Sequence, residues 1–126
     1  MEMQKLVEDY FAAFDRMDGE AWVALFADAG SLGGPAHTPP VEGKEALGKL
    51  FGNIVGLFDE LRFEISAIQV QGPFAVASFW LSSLAKNGTS ARTPGMVAFA
   101  ANPEGKLFQV AGFWDPMPVL VGAMAA

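Results

Sequence analysis

The hydrophobic period of this chain changes once, near residue 60, and that change constrains the fold more than any single motif. Before it, apolar residues recur at helical spacing. Met3, Leu6, Val7, Tyr10, Phe11, Phe14 and Met17 follow i, i+3, i+4, i+7, which predicts an amphipathic helix over about residues 2–17. Asp18-Gly19 breaks it, and Asp18 is suited to cap a second helix, about 19–27, that buries Trp22, Leu25 and Phe26. Ser31 to Gly34 reads as a short strand. Pro35, Pro39 and Pro40 then impose an irregular loop. A third helix opens at Gly43, with Leu47, Leu50, Phe51, Ile54, Val55, Phe58 and Leu61 on its stripe. After the change the pattern is that of long strands: Arg62–Gln71, Phe74–Ala85, Thr89–Ala100 and Leu107–Trp114. Turns at Gln71-Gly72-Pro73, Asn87-Gly88 and Asn102-Pro103-Glu104-Gly105 separate them. Helices followed by a strand meander predict one α+β domain over residues 1–126, its helices covering one face of a curved sheet.

Strand parity then assigns faces. Trp80, Phe99, Val110 and Trp114 are expected to point at the helices, with Ser78, Ser82, Gly34, Gly95 and Gly112. The glycines fill no volume there, so an internal cavity is expected rather than a filled core; they also suit kinks that curve the sheet. Phe79, Leu81, Met96, Ala98 and Ala100 fall on the opposite face, which is then apolar too and needs a cover. A homodimer through that outer face is expected. Composition agrees: 52% of residues are apolar and 17% charged, more apolar surface than one ordinary core of this length consumes.

Several classes of function are disfavoured. The net charge is −6 and the eight basic residues are scattered, so neither nucleic acid nor an anionic membrane surface is an expected partner. Without cysteine there is no disulfide, thiol nucleophile or thiolate metal site. A single histidine leaves little for a metal centre, so no cofactor and no metal are expected. The N-terminus has no signal-peptide pattern, and the apolar run Met117–Ala126 is too short to span a bilayer, which makes a cytoplasmic location the default.

Three segments and one turn carry a resemblance: YFAAFDRMDGEAWVALFAD, GPAHTPPVEGKEAL, the Asn-Gly hairpin and EGKLFQVAGFW. Over nearly its whole length the chain resembles the ketosteroid isomerase-like or SnoaL-like group of the NTF2-like superfamily. The resemblance implies a cone-shaped NTF2-like (cystatin-like) roll, a curved and mostly antiparallel sheet with N-terminal helices on its concave face. It leaves activity open, because this fold carries isomerases, dehydratases, cyclases, hydrolases and non-catalytic binders.

Residue by residue, the resemblance puts the isomerases' oxyanion tyrosine on Tyr10, their general base on Gly34 and their oxyanion aspartic acid on Val97. The supporting tyrosines fall on Phe26 and Phe51, and the pocket tryptophan on Trp114. The steroid-isomerase apparatus is therefore reduced to one hydroxyl. Dehydratase-type members pair an aspartate late in the first helix with a sheet histidine; Asp15 matches the first and no strand supplies the second. Asp115 lies near, but shifted from, the late-strand carboxylate of the cyclases.

Each candidate has a plain structural alternative. Tyr10 fits either a cavity-wall donor or a satisfied core tyrosine. Asp15 fits either a proton-transfer group or a solvated last-turn carboxylate. His37, the only group titrating near neutrality, fits either a mouth-side acid-base or an exposed loop residue. The expected catalytic candidates are thus Tyr10, Asp15 and His37. The expected ligand wall takes Phe14, Trp22, Phe26, Phe51 and Val55 from the first half of the chain. Gly34, Trp80, Val97, Phe99, Val110 and Trp114 complete it. The expectation is a pocket for a small hydrophobic molecule, with or without cofactor-free isomerase, dehydratase or cyclase chemistry. The alternative is a non-catalytic ligand-binding or assembly module on the same fold.

Overall fold

The structure is a computed structural model that describes residues 2–34 and 39–125. Helix α1 (Met3–Asp15) buries Met3, Val7, Tyr10, Phe11, Ala13 and Phe14, the stripe set by its spacing. It ends at Met17, whose φ of 55° is the left-handed conformation that glycine usually supplies at this point. Asp18 then caps α2 (Gly19–Ala24), its carboxylate accepting from the Ala21 N–H at 3.1 Å. Strand β1 (Phe26–Gly33) follows, then β2 (Val41–Glu42), α3 (Lys44–Val55), β3 (Phe58–Gln71), β4 (Phe74–Ala85), β5 (Ser90–Ala101) and β6 (Leu107–Trp114). The chain closes with a π-helical turn, Met117–Val121, that runs into a short helix α4, Gly122–Met124.

The strands form one open six-stranded sheet in the order β2-β1-β6-β5-β4-β3. All neighbours are antiparallel except β1 and β6. Helix α1 lies on β3 and β4, and α3 on β1 and β3, so the helices cover a single face. Between helices and sheet sits the aromatic core, in which Trp22, Phe11, Phe26, Phe51 and Phe58 are fully buried. This is the expected α+β architecture. No helix among the described residues is long and apolar enough to cross a membrane.

Three boundaries differ from the expectation. The second helix stops at Ala24, and Phe26 begins a strand twice as long as Ser31–Gly34 alone implies. The third helix stops at Val55, so Phe58 and Leu61 belong to β3. Both are nonetheless buried, because the β3–β4 register shifts between Phe58 and Glu60. That irregularity lets two residues three apart share one face, so helical spacing continues past the end of the helix.

The third difference is the face of β4. Pairing runs Ala77–Val97–Gly112 and Phe79–Gly95–Trp114 across three strands, so Phe79 and Leu81 point inward. Trp80 points outward, 37% exposed, with the Arg92 guanidinium 4.2 Å from its ring centroid. Trp80 is therefore no part of an inner wall, and Ser78 and Ser82 share its face. Both faces of β4 are apolar, so alternation does not distinguish inside from outside. A one-residue choice inverts every side chain on the strand. Gly95 supports the observed choice: a Cβ there would lie 2.6 Å from both Phe79 Cζ and Trp114 Cβ, so its missing side chain makes room for two aromatic neighbours rather than for a cavity.

Candidate functional site

A cavity of about 210 Å3 opens between the helices and the concave face of the sheet. Its walls follow from the fold. Helix α1 supplies Tyr10, Phe11 and Phe14 from its buried stripe, and α3 supplies Leu50 and Ile54. The inward positions of β3 to β6 supply Phe63, Leu81, Val97 and Trp114 among others. Leu32, Gly33 and Gly34 bound it on the β1 side, with Pro39 and Val41 beyond. The surface is almost wholly carbon.

Two side chains bring hydrogen-bonding atoms to this wall. Tyr10 is 5% exposed and packed edge-on against Phe99, at 5.0 Å between centroids, and against Phe11 at 5.4 Å. Burial pushes its phenol well above the ordinary tyrosine value, and the neighbouring Trp22 indole, acting as a hydrogen-bond partner, offsets part of that rise. The contact is not ideal, since the Trp22 Nε1 lacks any partner of good geometry and is otherwise buried. An indole N–H can only donate, so any help it gives Tyr10 is directed at the hydroxyl oxygen and falls short of a formed hydrogen bond. The second group is Trp114, whose Nε1 lies 3.3 Å from where a Cβ on Gly112 would stand, so the indole folds over the bare backbone of β6.

The resemblance puts the isomerases' base on Gly34, and the backbone there leaves no room for any side chain. Its φ is +77°, and a Cβ on it would come 2.3 Å from the Gly112 carbonyl oxygen. β1 and β6 approach so closely here that no side chain fits. Val97, at the place of the oxyanion aspartic acid, is 5% exposed and borders the cavity opposite Gly112.

Asp15 faces away from this chamber. Its Oδ1 accepts the Phe63 backbone N–H at 2.9 Å, joining the end of α1 to β3, and its residue is exposed. Partial burial raises its pKa from 3.8, while the Phe63 N–H and the Arg62 charge pull it back down. Tyr10 and Asp15 lie five positions apart on one helix and so project in different directions. His37 lies outside the described residues; its segment is flanked by Gly34 and Pro39, both on the cavity wall.

Of the expected ligand wall, Phe14, Gly34, Val97 and Trp114 border the cavity with Tyr10. Trp22, Phe26, Phe51, Phe99 and Val110 do not; they form the layer behind it, each at most 2% exposed. Trp22 stacks within 5.1 Å of Phe51 and 4.8 Å of Phe26, and so backs Tyr10 rather than facing the chamber. Val55 packs on the core, and its neighbour Ile54 takes the cavity position. Trp80 is on the far side of the sheet, as described. Sequence reasoning missed Phe79 and Leu81 through the β4 inversion, and Val119 and Leu120 because an apolar tail carries no period that says where it packs. Among the described residues no group of histidine, cysteine, aspartate and glutamate is arranged to hold a metal ion.

The strand order and the helices on one face define an open α+β fold with an apolar chamber between its layers. The chain belongs to the SnoaL-like domain family, whose model matches residues 7–110. No curated protein matches it in sequence. Solved structures show the same fold. A candidate polyketide cyclase from Xanthomonas campestris superposes with a TM-score of 0.84 at 17% identity, over 95% of each chain. A protein of ketosteroid isomerase-like fold from Catenulispora acidiphila, in complex with trimethylamine, gives 0.83 at 16% identity, over 96% of this chain and 93% of that one. An epoxide hydrolase/cyclase-like enzyme of pyran ring formation in the polyether salinomycin gives 0.79 at 22% identity, over 89% of each.

Proposed function

We propose that the cavity binds a small hydrophobic molecule carrying one hydrogen-bonding oxygen, and that the Tyr10 hydroxyl donates to that oxygen. The observation that carries this reading is the position of the chain's one tyrosine, on a chamber wall that is otherwise nearly all carbon. An apolar chamber with very few convergent polar groups is what recognition of such a ligand requires. Burial favours the neutral phenol, so Tyr10 acts as a donor and not as a base. Replacing Tyr10 by Phe removes one hydrogen bond and little volume. Affinity for an oxygenated ligand is expected to fall by about 1 kcal/mol, while a hydrocarbon of the same shape is unaffected. Equal affinity of wild type and Y10F for the oxygenated ligand would end this role.

A second reading is a cofactor-free isomerase, dehydratase or cyclase, and the cyclase-type names among the structural relatives favour it. In that case the proton-transfer group is His37 or Asp15; the Asp15 pKa is raised, but its carboxylate is held by the Phe63 N–H outside the chamber lining, so it serves only a substrate that reaches past that wall. Turnover that survives in H37A and in D15N alike would exclude both groups. The outer sheet face supports a homodimer. Phe74, Val76, Met96 and Phe113 are exposed there. The Arg62–Glu60 and Arg92–Glu64 pairs sit on the same face, so a second copy meets carbon with both signs of charge beside it and no like-charge barrier.

A further inference from the structure

We infer that the C-terminal segment is a strap that sets the size of ligand the chamber accepts, limiting it to one-ring or compact two-ring molecules. The inference rests on the pocket reading above and adds the ligand's size class and the element that imposes it.

The strap is shaped by local bonds where it leaves β6 and is tied to the body at its far end. At its start the Asp115 carboxylate accepts from the Met117 N–H at 3.0 Å, and the Leu120 N–H donates to the Pro116 carbonyl at 2.8 Å. At its far end stands Asn87, from the hairpin between β4 and β5. Its Nδ2 lies within donating distance of three carbonyls, those of Gly122 at 2.9 Å, Ala123 at 3.1 Å and Ala125 at 2.9 Å. Its Oδ1 accepts the Thr89 N–H at 2.9 Å, which holds the amide in that orientation. The last carbonyls of a helix lack further partners along it, and the two N–H hydrogens of one side-chain amide are shared among them here. Gly122 also sits tightly on the hairpin: a Cβ there would lie 3.1 Å from Thr89 Cγ2.

Between these anchors the strap is two-faced. Met117, Val121 and Met124 are exposed, while Val119 and Ala123 are buried. Val119 and Leu120 form part of the chamber wall. An apolar tail that merely frayed would not direct a 2% exposed valine into a cavity.

The size limit follows from the volume. A dry protein cavity of about 150 Å3 holds benzene, so the 210 Å3 left beneath the strap scales to roughly eight or nine non-hydrogen atoms. Pockets for drug-sized ligands begin at about 300 Å3. The chamber is partly open, so a substituted phenol is enclosed whole, whereas a four-ring skeleton must project from the mouth and leave much of its apolar surface in water.

The experiment is calorimetric titration of the full chain with para-ethylphenol and with estradiol, each an apolar body with phenolic oxygen. It is repeated on L120A, which trims the strap, and on N87A, which frees its far end without touching the chamber wall. Wild type is expected to bind para-ethylphenol at least tenfold tighter than estradiol, and each variant is expected to narrow that ratio at least threefold. Two variants guard against one that misfolds, which circular dichroism would reveal. A wild type that binds both phenols equally, or a ratio unchanged in a folded L120A or N87A, overturns the strap and leaves the pocket standing. A wild type that binds neither phenol overturns the pocket reading, and the strap with it.

Discussion

Gly34 offers the sharpest test of how this chamber is built. Two costs separate it from an ordinary glycine. Its φ of +77° is a conformation that L side chains rarely adopt, and a left-handed residue costs about 1–2 kcal/mol. The second cost is steric. A Cβ would stand 2.3 Å from the Gly112 carbonyl oxygen, and the two backbones must part by about 0.7 Å before that contact reaches 3.0 Å. Forcing extra atoms into a packed site costs about 1–3 kcal/mol more. G34A is therefore expected to lose about 2–5 kcal/mol, a large part of the ~5–15 kcal/mol that holds a domain together. Gly43 is the internal control. Its φ is +89°, but nothing lies within 4 Å of its Cβ position, so G43A carries the conformational cost alone. Thermal unfolding of both variants reads the difference. G34A should melt lower than G43A by at least about 4 °C, the shift that ~1 kcal/mol produces in a domain of this size. Equal melting temperatures would refute the close approach of β1 and β6. The outcome bears on chemistry as well, since a strand pair that rejects alanine also rejects the aspartate that the resemblance to isomerases would call for at this position.

Three further expectations are simpler to check. Because the chain has one tyrosine, phenolate absorbance reports Tyr10 alone. Its folded pKa is raised, so the folded state holds the proton more tightly and stability falls as pH rises above the ordinary value of 10.0. Phenolate should therefore appear together with loss of circular dichroism; its appearance in a folded protein near pH 10 would show an exposed hydroxyl. The folded pKa of Asp15 is also raised, so its contribution to stability declines as pH rises through the interval above 3.8. D15N keeps an oxygen for the Phe63 N–H and should flatten that decline, whereas an unchanged pH profile would place the carboxylate in open solvent. Phe113 is 63% exposed on the outer face, and F113E should halve the solution mass measured by light scattering; a wild type already of monomeric mass would dismiss the dimer.

Much of this architecture is legible in the order of residues because it rests on local periodicity. The stripe of α1 from Met3 to Phe14 needs only helix geometry to bury Tyr10. Asp18 caps α2 through a contact three residues away, and Asn87-Gly88 turns the chain between β4 and β5. The departures from the isomerase pattern at Gly34 and Val97 are equally plain, since they are identities at matched positions. What periodicity leaves undecided is whatever depends on a partner strand. β4 carries carbon on both faces, so only pairing with Gly95 and Trp114 places Phe79 inside and Trp80 outside. Phe58 and Leu61 keep helical spacing on a strand because the β3–β4 register slips beside them.

The division is physical. By itself the sequence determined the α+β class, the buried stripe that carries Tyr10, and the absence of a carboxylate at positions 34 and 97, since each depends on residues near one another in the chain or on identity alone. Only the tertiary structure decided that Trp22 stands behind Tyr10, that β1 and β6 leave no room for a side chain at Gly34, and that Val119 and Leu120 border the chamber. Those are contacts between segments 12 to 110 residues apart, set by sheet register and by a clasp on Asn87, and no local pattern encodes a distance of that kind.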